Sequence, residues 1–149
     1  MSRARWLHPA LSAGSGLAAA VLTACSSMTG LEGSAPDLRG SWSYQAQQTA
    51  PVLTFSGTLL ISSESGRSIN GQLQVLETNQ AGVQRQLSGI VAGVVPNATT
   101  VDFDAFLEQI GRRHVGRLAG DSITGSWVDD TGEDVPLGGT FKLRRQGSP

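Results

Sequence analysis

The chain of 149 residues has little cysteine, few aromatic residues and few charges. Its single cysteine excludes an intramolecular disulfide, so the fold depends on its core alone. Charged residues make up 15% of the chain and give a formal net charge of -1. Because phosphate binding needs a concentrated basic face, this composition predicts no nucleic acid partner.

Helix-forming runs and long apolar runs are missing as well. After residue 40 the chain is rich in Gly, Ser, Thr and Gln, which disfavours helices. The mostly apolar stretch Ala10 to Leu22 is interrupted by small polar residues and is shorter than the ~18 apolar residues of a membrane-spanning helix. Arg3 and Arg5 precede it without an acidic residue. This order is typical of a secretory signal peptide, and we predict that residues 1–24 are removed.

The sequence Leu22-Thr23-Ala24-Cys25 ends this segment. It resembles the lipobox of bacterial lipoproteins, in which a leucine and small residues precede an obligatory cysteine. The resemblance implies cleavage before Cys25, a diacylglycerol thioether on its sulfur, and acylation, as by palmitate, of the new amino terminus. Two or three acyl chains would anchor the protein stably, because each buried methylene adds roughly 0.8 kcal/mol of membrane affinity. The alternative is an ordinary thiol beside a plain Ala-x-Ala-like cleavage site.

Residues 25–38 are interpreted as the lipidated cysteine and a flexible tether, because they are rich in Ser, Gly and Thr and show no hydrophobic period. Ser26 follows the cysteine, whereas an Asp there often signals retention at the inner membrane of Gram-negative bacteria. The resemblance therefore implies the bacterial cell envelope, and the outer membrane if the host is Gram-negative. Removal of residues 1–24 leaves 9 of the 11 basic residues and all 12 acidic ones.

One β-rich domain is predicted over residues 39–146, followed by a short tail at 147–149. Apolar and polar residues alternate in most of its eight short runs, as in half-buried antiparallel strands. The predicted strands are Gly40–Gln47, Val52–Ser62, Ser68–Glu77, Gln84–Gly93, Thr99–Leu107, Arg112–Ala119, Ser122–Val128 and Gly138–Arg145.

A repeated x-Gly-x-apolar pattern places glycines on the same face as the large apolar side chains. Glycine inside a strand is favoured where another backbone comes close or where the strand bends tightly. A small closed barrel requires both conditions, because its sheet is strongly coiled. The seven positions are Gly40, Gly57, Gly71, Gly89, Gly116, Gly125 and Gly139.

We therefore predict an all-β fold, an eight-stranded antiparallel up-and-down β-barrel after a signal peptide and flexible tether. The opening motif at 40–42 (Gly-Ser-Trp) and the closing motif at 139–141 (Gly-Thr-Phe) resemble those of avidin-like and lipocalin-like (calycin-like) barrels and of small envelope lipoproteins. A two-sheet sandwich is the alternative. Within the barrel, a hairpin loop at Glu108–Gly111 is expected to set Asp102 opposite Arg117.

Five side chains are the candidate ligand-binding residues, because the alternation points them into the barrel: Trp42, Tyr44, Phe103, His114 and Trp127. His114 is the only histidine after residue 24, and no second histidine or cysteine accompanies it. We therefore predict no metal site and no cofactor. No Gly-x-Ser-x-Gly elbow is present, so no catalytic residue is assigned, and a locally hydrogen-bonded His114 is favoured over a catalytic one.

Two charged clusters are interpreted as surface features. Asp129, Asp130, Glu133 and Asp134 are expected to form a solvated hairpin tip, because their spacing is not that of an EF-hand calcium loop. Arginines 112, 113, 117, 144 and 145 are expected to face outward, as a small basic patch that pairs with acidic neighbours or contacts anionic lipid.

Three functional hypotheses remain open at this point. The first is a membrane-tethered barrel, not an enzyme, that binds a small apolar ligand inside. The second is a structural or partner-binding envelope lipoprotein with a filled barrel, for which an apolar patch around Leu60, Phe106 and Val115 would be evidence. The third is a small hydrolase, which depends on His114 alone. The sequence identifies neither a ligand nor a protein partner.

Overall fold

The computed structural model describes residues 35–131 and 136–147. The predicted signal peptide, Cys25 and most of the tether lie outside the described residues. The strands are β1 (Gly40–Thr49), β2 (Val52–Ser65), β3 (Ser68–Asn79), β4 (Gln84–Asn97), β5 (Thr100–Leu107), β6 (Ile110–Ala119), β7 (Ser122–Asp130) and β8 (Gly138–Arg145). Over this part of the chain, no helix is long and apolar enough to cross a membrane.

The eight strands form one closed barrel in sequence order. Each strand pairs antiparallel with its neighbour in the chain, and β1 also pairs with β8, from Trp42 opposite Arg145 to Gln48 opposite Gly139. This closing pair leaves neither of the two terminal strands as an open edge. The predicted eight-stranded up-and-down barrel is confirmed, and the sandwich alternative is wrong.

Alternation along the strands produces the core. The large apolar side chains that the sequence pattern assigns to the inward face are buried, except Leu53 and Leu118, which are partly buried and pack against the same cluster. Burying one such side chain stabilises the fold by roughly 1.5–3 kcal/mol. Leu38, Ala46, Val95 and Ala105 extend the buried set beyond the prediction.

The predicted hairpin between β5 and β6 is wrong by two residues. Leu107 pairs with Ile110, so the loop consists of Glu108 and Gln109 alone, and Glu108 has a positive φ of 56°. Val115 therefore lies opposite Asp102 in place of Arg117. Because the shift is even, the side chains of β5 and β6 keep the faces that the alternation assigns to them.

Glycines mark the places where neighbouring strands come closest. A Cβ atom at Gly125 would collide with the carbonyl oxygen of Val115 and lie 2.6 Å from the Cα of Gly116, the residue directly opposite. A Cβ atom at Gly57 would collide with the carbonyl oxygen of Gln74. These contacts confirm that glycines of the repeated pattern permit close backbone approach. Gly40 differs, because only the end of the Arg145 side chain is near it.

The two ends of the barrel differ. The end that carries the turns at 50–51, 80–83 and 108–109 is called the upper end, and the end where the chain enters is called the lower end. Leu38 is buried at the lower end and accepts a 2.9 Å hydrogen bond from Trp42 Nε1. The Arg145 guanidinium lies 4.4 Å from the centroid of the Trp42 ring and donates to the carbonyl oxygens of Asp37 and Arg39. These contacts seal the lower end.

Replacing Gly125 with alanine should destabilise the barrel by about 1–3 kcal/mol, because the methyl group would displace the β6 backbone. Urea unfolding followed by circular dichroism measures the free energy of unfolding. The matched control is Gly111→Ala, also within a strand, where an added Cβ meets only ordinary contacts at 3.7 Å. Equal free energies of unfolding for the two variants would contradict the close-approach explanation.

Candidate functional site

The five predicted binding residues do not line a single cavity. Trp42 lies at the sealed lower end. Tyr44, Phe103 and His114 lie together in the middle of the barrel, where the Phe103 ring stacks on the His114 ring with centroids 4.5 Å apart. Trp127 lies nearer the upper end, 6.5 Å from the His114 ring. All five are buried, so side chains fill the interior at each of these levels.

His114 is held in one tautomer by its two neighbours. Its Nδ1 lies 2.9 Å from the Arg112 carbonyl oxygen, which can only accept, so Nδ1 donates. Nε2 is then the acceptor for the Tyr44 hydroxyl at 3.0 Å. Burial lowers the pKa of His114 to about 4 and raises the pKa of Tyr44. Both rings are therefore uncharged at neutral pH.

This arrangement does not support the hydrolase hypothesis. Both His114 nitrogens already have partners, and among the described residues no serine hydroxyl hydrogen-bonds to either of them. A general base needs a free nitrogen within reach of the nucleophile and a pKa near the working pH. The geometry matches the locally hydrogen-bonded histidine that the sequence favoured.

The upper end holds a buried ion pair that corrects two predictions. Arg112 Nε donates to Asp129 Oδ1 at 2.7 Å, and the two side chains are only 7% and 3% exposed. Arg112 was expected in an outward basic patch and Asp129 in a solvated hairpin tip. Both instead point inward, because they continue the alternation of His114 on β6 and Trp127 on β7. Glu133 and Asp134 of that tip lie outside the described residues.

Aromatic rings surround this ion pair. The Arg112 guanidinium carbon lies 4.8 Å from the Phe55 ring centroid and 4.9 Å from that of Trp127, and the two rings meet edge to face. Burial raises the pKa of Asp129, and the charge of Arg112 opposes that shift. A buried charge pair retains its charges only with a close partner, and here each residue is the other's partner.

Two buried polar atoms at the same end have no hydrogen-bond partner among the described residues, namely Gln48 Oε1 and Trp127 Nε1. The other end of the Gln48 amide is occupied, since Nε2 donates to the Pro51 carbonyl oxygen at 3.0 Å. Each unpaired buried polar group lowers the free energy of unfolding by about 1–3 kcal/mol. Gln48 is not among the residues predicted from the sequence, although its spacing from Trp42 and Tyr44 places it on the inward face.

Concave surfaces occur on the outer wall. A groove of about 450 Å³ crosses β8, β1 and β2, and a second of about 290 Å³ crosses β2 and β3 and reaches β4. Ser56 borders both grooves, whereas none of the five predicted binding residues borders either. Within the described residues, no group of three possible metal ligands is present.

The predicted surface features are only partly as expected. Asp102 pairs with Arg113 at 2.7 Å, not with Arg117, and this partly exposed pair is worth about 0–1 kcal/mol. Leu60, Phe106 and Val115 are exposed but lie on β2, β5 and β6. Phe106 instead faces the exposed Ile90 across β4 and β5. The three residues do not form one patch.

Comparisons with known proteins identify the fold. No protein-family model matches the chain, and no curated protein matches it. Among solved structures, EF1p2_mFAP2b bound to DFHBI is 17% identical to this chain, with a TM-score of 0.60. The matched region covers 73% of this chain and 94% of the chain in that structure. A redesigned β-barrel, b11L5F_LGL, is 18% identical with a TM-score of 0.59, covering 74% and 92%. A de novo designed fluorescence-activating β-barrel is 16% identical with a TM-score of 0.52, covering 72% and 93%. At these identities the similarity shows a shared barrel fold.

The stability of the barrel should fall as the pH decreases from 6.5 to 4. His114 has a folded pKa of about 4 against 6.5 for the free side chain, so in this window the unfolded chain binds the extra proton. The contribution of His114 to the free energy of unfolding is fully present above pH 6.5. At pH 4 the free energy of unfolding is lower by an amount on the order of 3 kcal/mol. Urea midpoints measured across this range test the effect.

The control for this prediction is the His114→Gln variant, which cannot titrate. The difference between the two stability curves isolates His114 from Asp129, whose raised pKa acts in the opposite direction. Parallel curves for the two proteins between pH 4 and 6.5 would contradict a buried neutral histidine.

Proposed function

We propose that the chain is a bacterial envelope lipoprotein, anchored through lipid on Cys25, whose barrel binds a small, largely apolar ligand at its upper end and catalyses no reaction. The observation that carries the ligand proposal is the pair of unpartnered buried atoms, Gln48 Oε1 and Trp127 Nε1. Folded proteins rarely leave such groups unsatisfied, and a bound molecule or an ordered water is the usual partner.

The contrast between the two ends supports this position for the ligand. At the lower end Trp42 Nε1 has a partner in the Leu38 carbonyl oxygen, and in the middle Tyr44 and His114 satisfy each other. Among the described residues, the buried side-chain nitrogen and oxygen atoms without a partner both lie at the upper end. The fold likeness to barrels described as bound to DFHBI is compatible with a small ligand.

The membrane proposal is supported by the lipobox resemblance, and the end at which the chain enters the barrel would set the orientation of an anchored barrel. Residues 35–38 lie at the lower end, so a tether from Cys25 would hold that end toward the membrane. The upper end would then face away from it and be accessible to a ligand. If the host is Gram-negative, Ser26 after the cysteine favours the outer membrane.

A second candidate function is a filled barrel that binds a partner through its outer wall. The outward positions of β1 to β4 between residues 43 and 94 are Ser, Thr, Asn, Gln or apolar residues, without a charged side chain. Both outer grooves open on this wall. An interior that takes up no probe would favour this candidate.

Lipidation predicts that the mature protein begins at Cys25, carries the mass of its acyl chains and fractionates with membranes. In the Cys25→Ser variant the protein should remain unprocessed or become soluble, because the acceptor sulfur is gone. Intact mass of the protein from the native host measures the cleavage and the acylation, and membrane partitioning measures the anchoring. A soluble wild-type protein with a free thiol would contradict the anchor.

Ligand binding at the upper end predicts that the uncharged probe N-phenyl-1-naphthylamine gains fluorescence on mixing with the protein. Leu53→Trp adds bulk beside Gln48, its partner across β1 and β2, and should weaken the affinity about tenfold, equivalent to 1.4 kcal/mol. Leu118→Trp is the matched control, since Leu118 is also partly buried but lies near the lower end. Equal losses for both variants, or no uptake by the wild type, would contradict this site.

A further inference from the structure

We propose that a basic surface near the lower end of the barrel binds the phosphate groups of anionic phospholipids, as a second contact with the membrane beside the lipid on Cys25. This lower basic surface consists of Arg117 on β6 and of Lys142 and Arg144 on β8. The inference rests on the proposed lipid anchor, which would bring this end of the barrel to a membrane. It does not depend on the proposed ligand at the upper end.

The strand register brings the three cations together on the outer wall. Arg117 and Lys142 are both directly opposite Thr124, one across the β6–β7 pair and the other across the β7–β8 pair. Neighbouring strands lie about 4.8 Å apart, so the backbones of Arg117 and Lys142 are about 10 Å apart. Arg144 lies two residues beyond Lys142 on the same face of β8. Three cationic side chains therefore project from one small area.

These cations have no acidic partner. Within the described residues, none of the three takes part in an ion pair or a side-chain hydrogen bond. Asp102, diagonally across on β5, pairs with Arg113 at 2.7 Å. Asp121, in the turn between β6 and β7, pairs with Arg145 at 3.4 Å. The lower basic surface therefore retains three positive charges.

The side chains between the cations are short. Arg144 is directly opposite Ser122 on β7 and Ser43 on β1, and Thr124 separates the other two cations. The exposed Thr124 hydroxyl can donate to a phosphate oxygen. Ser122 and Arg144 also border a surface recess of about 310 Å³. Short neighbours leave the charged groups accessible to a broad, flat partner such as a layer of lipid headgroups.

The position of the surface favours a membrane over a soluble anion. The chain enters the barrel through β1, which pairs with the strand that carries Lys142 and Arg144. If residues 26–37 behave as the flexible tether that their composition predicts, their root-mean-square span is about 20 Å. An anchor on Cys25 would therefore hold the lower basic surface close to a layer of phosphate groups. Several cations can contact such a layer at once, and each strengthens binding about fivefold.

The test measures binding of the full-length Cys25→Ser chain, which carries no acyl chain, to sedimented vesicles. One set of vesicles is phosphatidylcholine alone, and the other is an equimolar mixture with phosphatidylglycerol. The ratio of the two partition coefficients isolates the preference for anionic lipid. Adding Arg117→Gln and Lys142→Gln to this chain should lower the ratio about 25-fold, because each cation near an anionic surface contributes about fivefold.

The matched control adds Arg85→Gln and Arg113→Gln in place of that pair. These substitutions remove the same charge from cations that already pair with Glu77 and Asp102. The ratio should change by less than about twofold, because exposed ion pairs leave little free charge for a membrane. A loss as large as that of the first variant would show that only net charge matters, and this overturns the inference. A ratio of one for the parent Cys25→Ser chain overturns it as well.

A salt series on the parent chain gives a result that does not depend on whether the variants fold. Raising the salt from about 0.1 M to about 1 M shortens the screening length from about 10 Å to about 3 Å. The ratio should then fall close to one. A preference for phosphatidylglycerol that persists at high salt is not electrostatic and contradicts the proposal.

The mass of the native protein separates failure of this inference from failure of the anchor. An acylated Cys25 together with a ratio of one means that the anchor stands and the lower basic surface does not bind lipid. A free thiol together with a ratio that depends on Arg117 and Lys142 removes the anchor and supports the surface as the membrane contact of the barrel itself.

Discussion

Closure of the sheet by the pairing of β1 with β8 is the constraint on which the rest of this structure depends. Eight strands close only if they coil strongly, and coiling brings neighbouring backbones closer than a Cβ atom allows at several places. Gly57 and Gly125 lie at such places, against carbonyl oxygens of the next strand. Glycine at these places lets neighbouring strands approach closely enough for the inward faces to meet around one core.

That narrow interior explains why its polar groups are arranged in layers. Aromatic rings from β5, β6 and β8 touch in the middle, as Phe103, His114 and Phe141 do, and leave each polar atom only the partners within its own layer. The histidine is satisfied by Tyr44 and by a backbone carbonyl, and the lower tryptophan by Leu38. At the upper end the geometry provides a partner for the arginine but not for the Gln48 carbonyl or the Trp127 N–H.

Alternation in the sequence was sufficient to predict the strands and the inward apolar side chains, because a period of two assigns a face without reference to distant residues. The repeated glycines indicated a closed barrel, and only the pairing of β1 with β8 excludes the sandwich alternative. The register of β5 and β6 could not be predicted. A two-residue turn usually contains Gly, Asn or Asp, whereas this one has Glu108 at a positive φ. The inward positions of Gln48, Arg112 and Asp129 follow from the same alternation, but polar side chains at strand ends ordinarily face solvent. Only the register of β6 against β7, which sets Arg112 directly opposite Asp129, shows that the two side chains compensate each other.

The even number of strands has a topological consequence. In a meander of eight strands the chain enters and leaves the barrel at the same end, and Arg145 near the end of β8 indeed reaches Asp37 and Arg39 just before β1. Both chain connections therefore share one pole of the barrel, and the other pole carries the turns at 50–51, 80–83 and 108–109. Sequence change in those turns can reshape that pole while the path by which the chain enters and leaves the barrel stays the same.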